Sequence, residues 1–211
     1  MTATSQAALR LSAALATRLC HDLSGPVNTL LGVADVVADD PSAAAEAVGL
    51  MVDAGQAMAR RLRLCRTAWG SPAALSAEDF AGLVAGLATK RLTIDLDRLD
   101  RAADFAADAA QLCLNVVLLA AESLPRGGML ALQGNPAGDV IVQIDGPNAA
   151  WPAGFAGLLA DPTGAWAMLD DPARLQAPLT ALLAQASGLS VSLLMGASAT
   201  PAPALLLRLG A

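Results

Sequence analysis

Histidine is nearly missing from this 211-residue chain, and His21 is the only one. Any histidine chemistry therefore rests on that single position. Cysteine is scarce and odd in number. Cys20, Cys65 and Cys113 lie far apart on apolar-periodic segments, which favours buried thiols in a reducing cytoplasm over disulfides or a metal site. Long apolar runs are missing as well. Hydrophobic residues make up 55% of the chain, but much of that is alanine. The most apolar window, Val116 to Ala121, is soon interrupted by Glu122 and Arg126, so no transmembrane helix is expected. The first residues, Met1 to Gln6, place no basic region ahead of an apolar core, so no secretory signal is expected and a cytoplasmic location follows. Basic charge is in deficit: 13 Lys and Arg face 19 Asp and Glu, for a net −6. That balance argues against a general nucleic-acid surface, so neither nucleic acid nor membrane is expected as a partner.

What is present is organised around Leu19-Cys20-His21-Asp22-Leu23-Ser24-Gly25-Pro26-Val27-Asn28. At roughly 100° per residue, Leu15, Leu19, Leu23, Pro26, Leu30, Val33 and Val37 form one apolar stripe. His21 points the other way with Arg10, Ala14, Thr17, Arg18, Gly25, Asn28 and Asp35, so the imidazole is expected to be exposed. An exposed imidazole beside a carboxylate reads either as an ordinary surface histidine or as a nucleophile. The nucleophile needs a neutral ring nitrogen, a neighbour for the other nitrogen, and space for a partner. His21, Asp22 and the small residues Ala14, Gly25 and Gly32 would supply these. Pro26 should bend the helix just beyond the histidine.

Residues from about 6 to 38 read as one long helix, Asp39-Asp40-Pro41-Ser42 as a turn, and 42 to about 68 as a second helix. In the second helix Val48, Met51, Gly55, Met58, Leu62, Cys65 and Trp69 repeat as a heptad seam. Two helices alone cannot enclose a core, so a homodimer with a four-helix bundle is expected. In such a hairpin, position i lies level with roughly 80−i on the return helix. That places Arg60, Arg61 and Arg63 near the height of His21, with Gln56, Arg60 and Arg63 facing outward. This basic run reads either as a solvated face or as a surface that meets an acidic partner or a phosphoryl group.

Gly70-Ser71-Pro72 marks a boundary. Beyond it the pattern reads as a capped helix over 76–88, a strand over 92–96, an apolar helix over 104–123, strands over 129–133 and 140–144, an unassigned loop-rich stretch over 145–172, a helix over 173–187, and a closing hairpin of 190–194 with 204–209. This is a two-layer α/β sandwich.

The run His21-Asp22-Leu23-Ser24-Gly25-Pro26 resembles the phosphoacceptor box of dimeric sensor histidine kinases. The helix Leu112 to Ala120 bearing Asn115, followed by Gly127-Gly128, resembles the asparagine helix of those kinases' ATP-binding domain. Over essentially its whole length the chain resembles the ChpT family of alphaproteobacterial histidine phosphotransferases. The resemblance implies an α plus α/β fold. Residues 1–71 would form a long antiparallel helical hairpin for dimerisation and histidine phosphotransfer, and 72–211 a degenerate histidine-kinase-ATPase-like sandwich. The departures separate the phosphotransferase from the kinase. The nearest match to an Asp-x-Gly-x-Gly turn is Asp145-Gly146-Pro147-Asn148, with the wrong spacing and a proline. Only scattered Gly154, Gly157 and Gly164 stand where a phosphate lid would need clustered glycines. Leu119 replaces a polar residue, and Asn115 reads as a helix residue bonded to a loop in preference to a magnesium ligand.

The resemblance therefore implies a phosphorelay protein of two-component signal transduction. His21 would be the phosphoacceptor, Asp22 the partner of its other nitrogen, and Thr17, Arg18, Gly25, Asn28, Arg60 and Arg63 the docking surface. The visitors would be receiver domains of a hybrid histidine kinase and of response regulators. No cofactor or metal is expected on this chain, the Mg²⁺ being carried by the receiver. In the related kinases the residue at the Gly25 position orients a hydrolytic water, so glycine there implies weak phosphatase activity. The rivals are an ATP-dependent histidine kinase with divergent boxes and a non-catalytic dimeric adaptor.

Overall fold

Helix α1 (Ala3–Asp39) spans 37 residues in the computed structural model, which describes residues 3–169, 171–194 and 202–210. Its alanines and leucines are strong helix formers. It continues through Gly25 and Pro26, both unfavourable inside a helix, so packing against a neighbour holds it together there. The missing Pro26 N–H is the one that would have bonded the Asp22 carbonyl.

The Asp40 carboxylate closes the turn, accepting from Ser42 N at 2.9 Å and Ser42 Oγ at 2.6 Å across a short 3₁₀ segment. Helix α2 (Ala44–Trp69) then returns along α1. Small residues dominate the buried positions of α2, and two of those positions, Leu64 and Ala68, face the α/β core. Ala47, Ala54, Leu64, Cys65 and Ala68 are buried on α2, but only Ala14 among the described side chains of α1. The apolar residues Val48, Met51 and Leu62 of the expected heptad seam stay exposed, as do Leu31 and Val36.

The α/β part follows the pattern expected from its sequence. Ser76 caps α3 (Ala77–Ala85), its hydroxyl accepting from Asp79 N at 3.0 Å. The strands are β1 (Leu92–Leu99), β2 (Gly128–Gly134), β3 (Asp139–Asp145), β4 (Ser190–Leu194) and β5 (Ala204–Arg208), in the order β1-β2-β3-β5-β4. Helix α4 (Ala107–Glu122) is the crossover that makes β1 and β2 parallel, and the other pairs are antiparallel. Alternate residues Leu130, Leu132, Val140, Val142, Leu205 and Leu207 are buried against α4 and its neighbours. The opposite sheet face is more open, as a two-layer arrangement requires. Gly127 and Gly128 hold positive φ, and a Cβ at Gly146 would come 2.5 Å from the Gly127 carbonyl. That glycine therefore lets two backbones approach at the sheet end.

The stretch 145–172, unassigned from sequence, contains α5 (Phe155–Ala160) and a 3₁₀ segment Pro162–Met168. A second 3₁₀ turn, Pro172–Arg174, precedes α6 (Gln176–Ser187). Leu158, Ala165, Leu169, Leu175, Ala181 and Leu182 form a small second core that Ala14, Leu11 and Leu15 of α1 complete. Ala14, expected on the open histidine face, is instead buried at 6% exposure, because the α/β part packs on that side of α1.

Candidate functional site

His21 stands out of α1 with its side chain 84% exposed. It lies on the helix face away from the α2 seam, and Gly25 one turn later offers no side chain to cover it. A Cβ built at Gly25 meets nothing within 4 Å. Asp22, one residue on, is 10% exposed and turned inward. Its Oδ2 accepts from both Nε and Nη2 of Arg61 on α2, the Nε bond being 3.1 Å long. Its Oδ1 accepts from Arg18 Nε at 3.0 Å and lies 3.5 Å from His21 Nδ1.

Burial alone would raise the Asp22 carboxyl. Arg61, then Arg18 and the contact with His21, reverse that and hold it below the usual carboxylate range. The site thus offers an aimed imidazole beside a carboxylate kept ionised. The other imidazole nitrogen, Nε2, is left to meet an electrophile.

Arg18 reaches further. Its Nη2 donates to Glu122 Oε1 at 2.6 Å and its Nη1 to the Pro172 carbonyl at 3.3 Å. Desolvation works against its charge, but Glu122 and Asp22 together raise its pKa above the ordinary value. Glu122 fares differently. Burial raises its carboxyl, and Arg18, its hydrogen-bond partner, with the more distant charge of Arg61 offsets only part of that while Asp22 repels it. Arg18, expected on a docking surface, is 14% exposed and tied into the chain instead.

Thr17 and Asn28 are exposed on α1. Asn28 lies toward the turn, lining an apolar groove of about 330 Å³ with Gly32, Val33, Val36, Ala47 and Leu50. Arg60 and Arg63 are exposed on α2 and line a separate groove with Glu78, Asp79 and Leu83, which includes α3 residues. They do not join Arg61 on Asp22. Arg61 is the residue that reading the sequence left out of the site. The signal was available, since Ala47, Ala54, Arg61 and Ala68 recur every seventh residue, and three of these four are buried.

Asn115 is fully buried. Its Nδ2 donates to the Ala68 carbonyl at 2.7 Å and the Gln111 carbonyl at 2.9 Å, and its Oδ1 accepts from Gln176 Nε2 at 2.9 Å. The side chain is a knot between α2, α4 and α6, with its polar atoms committed to protein partners. Its position is structural.

Comparison with known proteins bears on the same arrangement. The histidine phosphotransferase C-terminal domain family matches residues 77–199, which lie beyond the hairpin that carries His21. The solved "1.7 Angstrom Structure of a Bacterial Phosphotransferase" is similar over 99% of this chain and 97% of its own, with a TM-score of 0.71 at 20% identity. At that identity the likeness is one of fold. No curated protein sequence matches the chain.

Proposed function

This chain belongs to the histidine phosphotransferase C-terminal domain family, and from that premise we propose that it relays a phosphoryl group between receiver-domain aspartates through His21, without using ATP. The observation that carries the reading is the chain's only histidine, almost fully exposed beside a carboxylate that two arginines keep ionised. Residues 1–71 serve as the phosphotransfer and dimerisation hairpin, and 72–211 as a platform resembling a kinase ATP-binding domain. On this reading the protein is of the ChpT type, dimeric and cytoplasmic.

In the forward step the Nε2 lone pair of His21 forms a P–N bond as the P–O bond of the receiver's aspartyl phosphate breaks. The receiver's carboxylate leaves with the electron pair. Nδ1 keeps its proton, and the resulting imidazolium charge is balanced by Asp22. The return step transfers the group to a second receiver. Phosphoryl transfer asks mainly for in-line placement and charge neutralisation, and the receiver is expected to bring its own Mg²⁺. Exposed Thr17, Gly25 and Asn28 give the visiting surface room on α1. Arg60 and Arg63 add positive charge on α2 and would raise the association rate in a salt-sensitive way. The reading without ATP is supported by Asn115, whose amide is consumed by Ala68, Gln111 and Gln176.

The test is incubation with a phosphorylated receiver domain, with and without ATP. Base-stable, acid-labile label should pass to this chain from the receiver alone. Label acquired from ATP and none from the receiver would establish the kinase instead.

A further inference from the structure

Among the described residues, one set of polar contacts ties the α/β part directly to the box around His21. Arg18 is divided among three acceptors. Its Nη2 is held by Glu122 at 2.6 Å, its Nη1 by the Pro172 carbonyl at 3.3 Å, and only Nε reaches Asp22 Oδ1, at 3.0 Å. Guanidinium groups ordinarily grip a carboxylate with two parallel N–H bonds. Arg61 also uses two N–H groups on Asp22, but both converge on the one oxygen Oδ2. Arg18 commits only one, because Glu122 and the Pro172 carbonyl occupy its two terminal nitrogens. Asp22 Oδ1 thus receives a single N–H from Arg18 and keeps a lone pair directed at the imidazole, whose Nδ1 lies 3.5 Å away.

We propose that Glu122 is a positioning residue for phosphoryl transfer at His21, acting through Arg18 to keep Asp22 Oδ1 open to the Nδ1–H of the ring. The inference rests on His21 being the phosphoacceptor. A ring that carries its proton on Nδ1 presents Nε2 as a lone pair, and it is the acceptor on the other side that selects that tautomer. Without Glu122, the freed Nη2 swings onto Asp22, Arg18 becomes bidentate, and the imidazole loses its acceptor. Glu122 closes α4 in the α/β part, 104 residues beyond Arg18. The α/β part thereby reaches the chemistry without touching the reacting atoms.

Two features separate this role from a simple brace. The interface is already held by the apolar cluster of Ala14 with Leu158, Ala165 and Leu169. The Glu122 side chain is also 29% exposed, so truncating it opens no sealed cavity at the interface.

The lone histidine gives a clean readout, because nitrogen NMR of the labelled chain reports one imidazole and its tautomer. In Glu122→Ala the Nδ1–H tautomer should decline and the maximal rate of label uptake from a phosphorylated receiver should fall about three- to tenfold. The receiver concentration at half-maximal rate and the thermal melt should stay unchanged. Glu122→Gln, which keeps a neutral acceptor for Arg18, should fall between. In an Asp22→Asn background the substitution should have no further effect.

A Glu122→Ala chain with the wild-type tautomer and uptake rate overturns the inference, as does an equal loss of rate in the Asp22→Asn background. Absence of uptake by the wild-type chain overturns the phosphoacceptor reading and this inference with it. Wild-type uptake that Glu122→Ala leaves intact overturns this inference alone.

Discussion

The hairpin and the α/β part bury themselves by different rules. Along α4 the residues Ala109, Ala110 and Leu112 through Ala120 are all buried. Along the 37 residues of α1, Ala14 is the only buried side chain among those described. Leu31 and Val48 remain 59% and 58% exposed. The α/β part carries most of the buried core, to which Leu64 and Ala68 of α2 and Ala14 of α1 add, and the hairpin buries little by itself. His21, the proposed phosphoacceptor, lies on a long helix of which its own chain buries little, where space exists for another protein to approach. Chemistry and stability should therefore separate when each region is altered in turn.

The largest separation comes from a pair of substitutions. His21→Ala should abolish phosphoryl uptake with a melting temperature close to wild type, since an exposed side chain contributes little to folding. Asn115→Ala should do the reverse. It leaves the buried Ala68 carbonyl without its donor and takes the side-chain acceptor from Gln176 Nε2, which keeps the residue 115 backbone carbonyl. This costs about 1–3 kcal/mol, while uptake per folded molecule persists. A His21→Ala chain that unfolds, or an Asn115→Ala chain that keeps full stability, would erase the contrast.

Next in size is assembly. The exposed stripe and the apolar groove at the turn end suit a second copy of the hairpin, so Leu31→Asp with Val48→Asp should convert a two-chain species to one chain in sedimentation. The near-ultraviolet signal of the α/β part should be retained. A wild-type chain that sediments as a monomer contradicts the dimer.

A smaller effect follows from Asp22. Its carboxyl is held low in the folded chain by Arg61 and Arg18 against the upward push of burial. That contribution is present above the ordinary carboxylate pKa and is lost as pH falls through the folded value. Glu122, raised by burial, has the opposite sign and is relieved by protonation. Acid melts of wild type and Asp22→Asn should converge at low pH, and parallel curves would contradict this. Smallest is Gly25→Asn. The position has open space, the helix gains a few tenths of a kcal/mol, and receiver dephosphorylation should rise. An unchanged rate would remove the water-orienting role assigned to that position.

What could be read in advance divides along similar lines. Periodicity placed the two long helices to within a few residues of Ala3–Asp39 and Ala44–Trp69, because a sustained apolar stripe is a local signal. It also placed the exposure of His21. Strand β1 runs past the expected 96 to Leu99, with a register shift between Asp95 and Arg98 where the charged pair interrupts the alternation. The segment 145–172 was opaque because its short helices are held by α1 and α6 more than by their own sequence. The same cause hid the burial of Ala14 and the capture of Arg18. No helical wheel reveals that Glu122 and Pro172 will stand over that face of α1. Arg61 was within reach, since it lies level with Asp22 on the hairpin and on the inward heptad, but outward-facing Arg60 and Arg63 drew the assignment.

The central claim is that one exposed imidazole takes a phosphoryl group from a visiting aspartate. Mass spectrometry of the chain after mixing with a phosphorylated receiver, kept at alkaline pH and without nucleotide, tests it directly. The account predicts a single phosphate on the peptide that contains His21. A chain that stays unmodified, or carries its phosphate elsewhere, contradicts it.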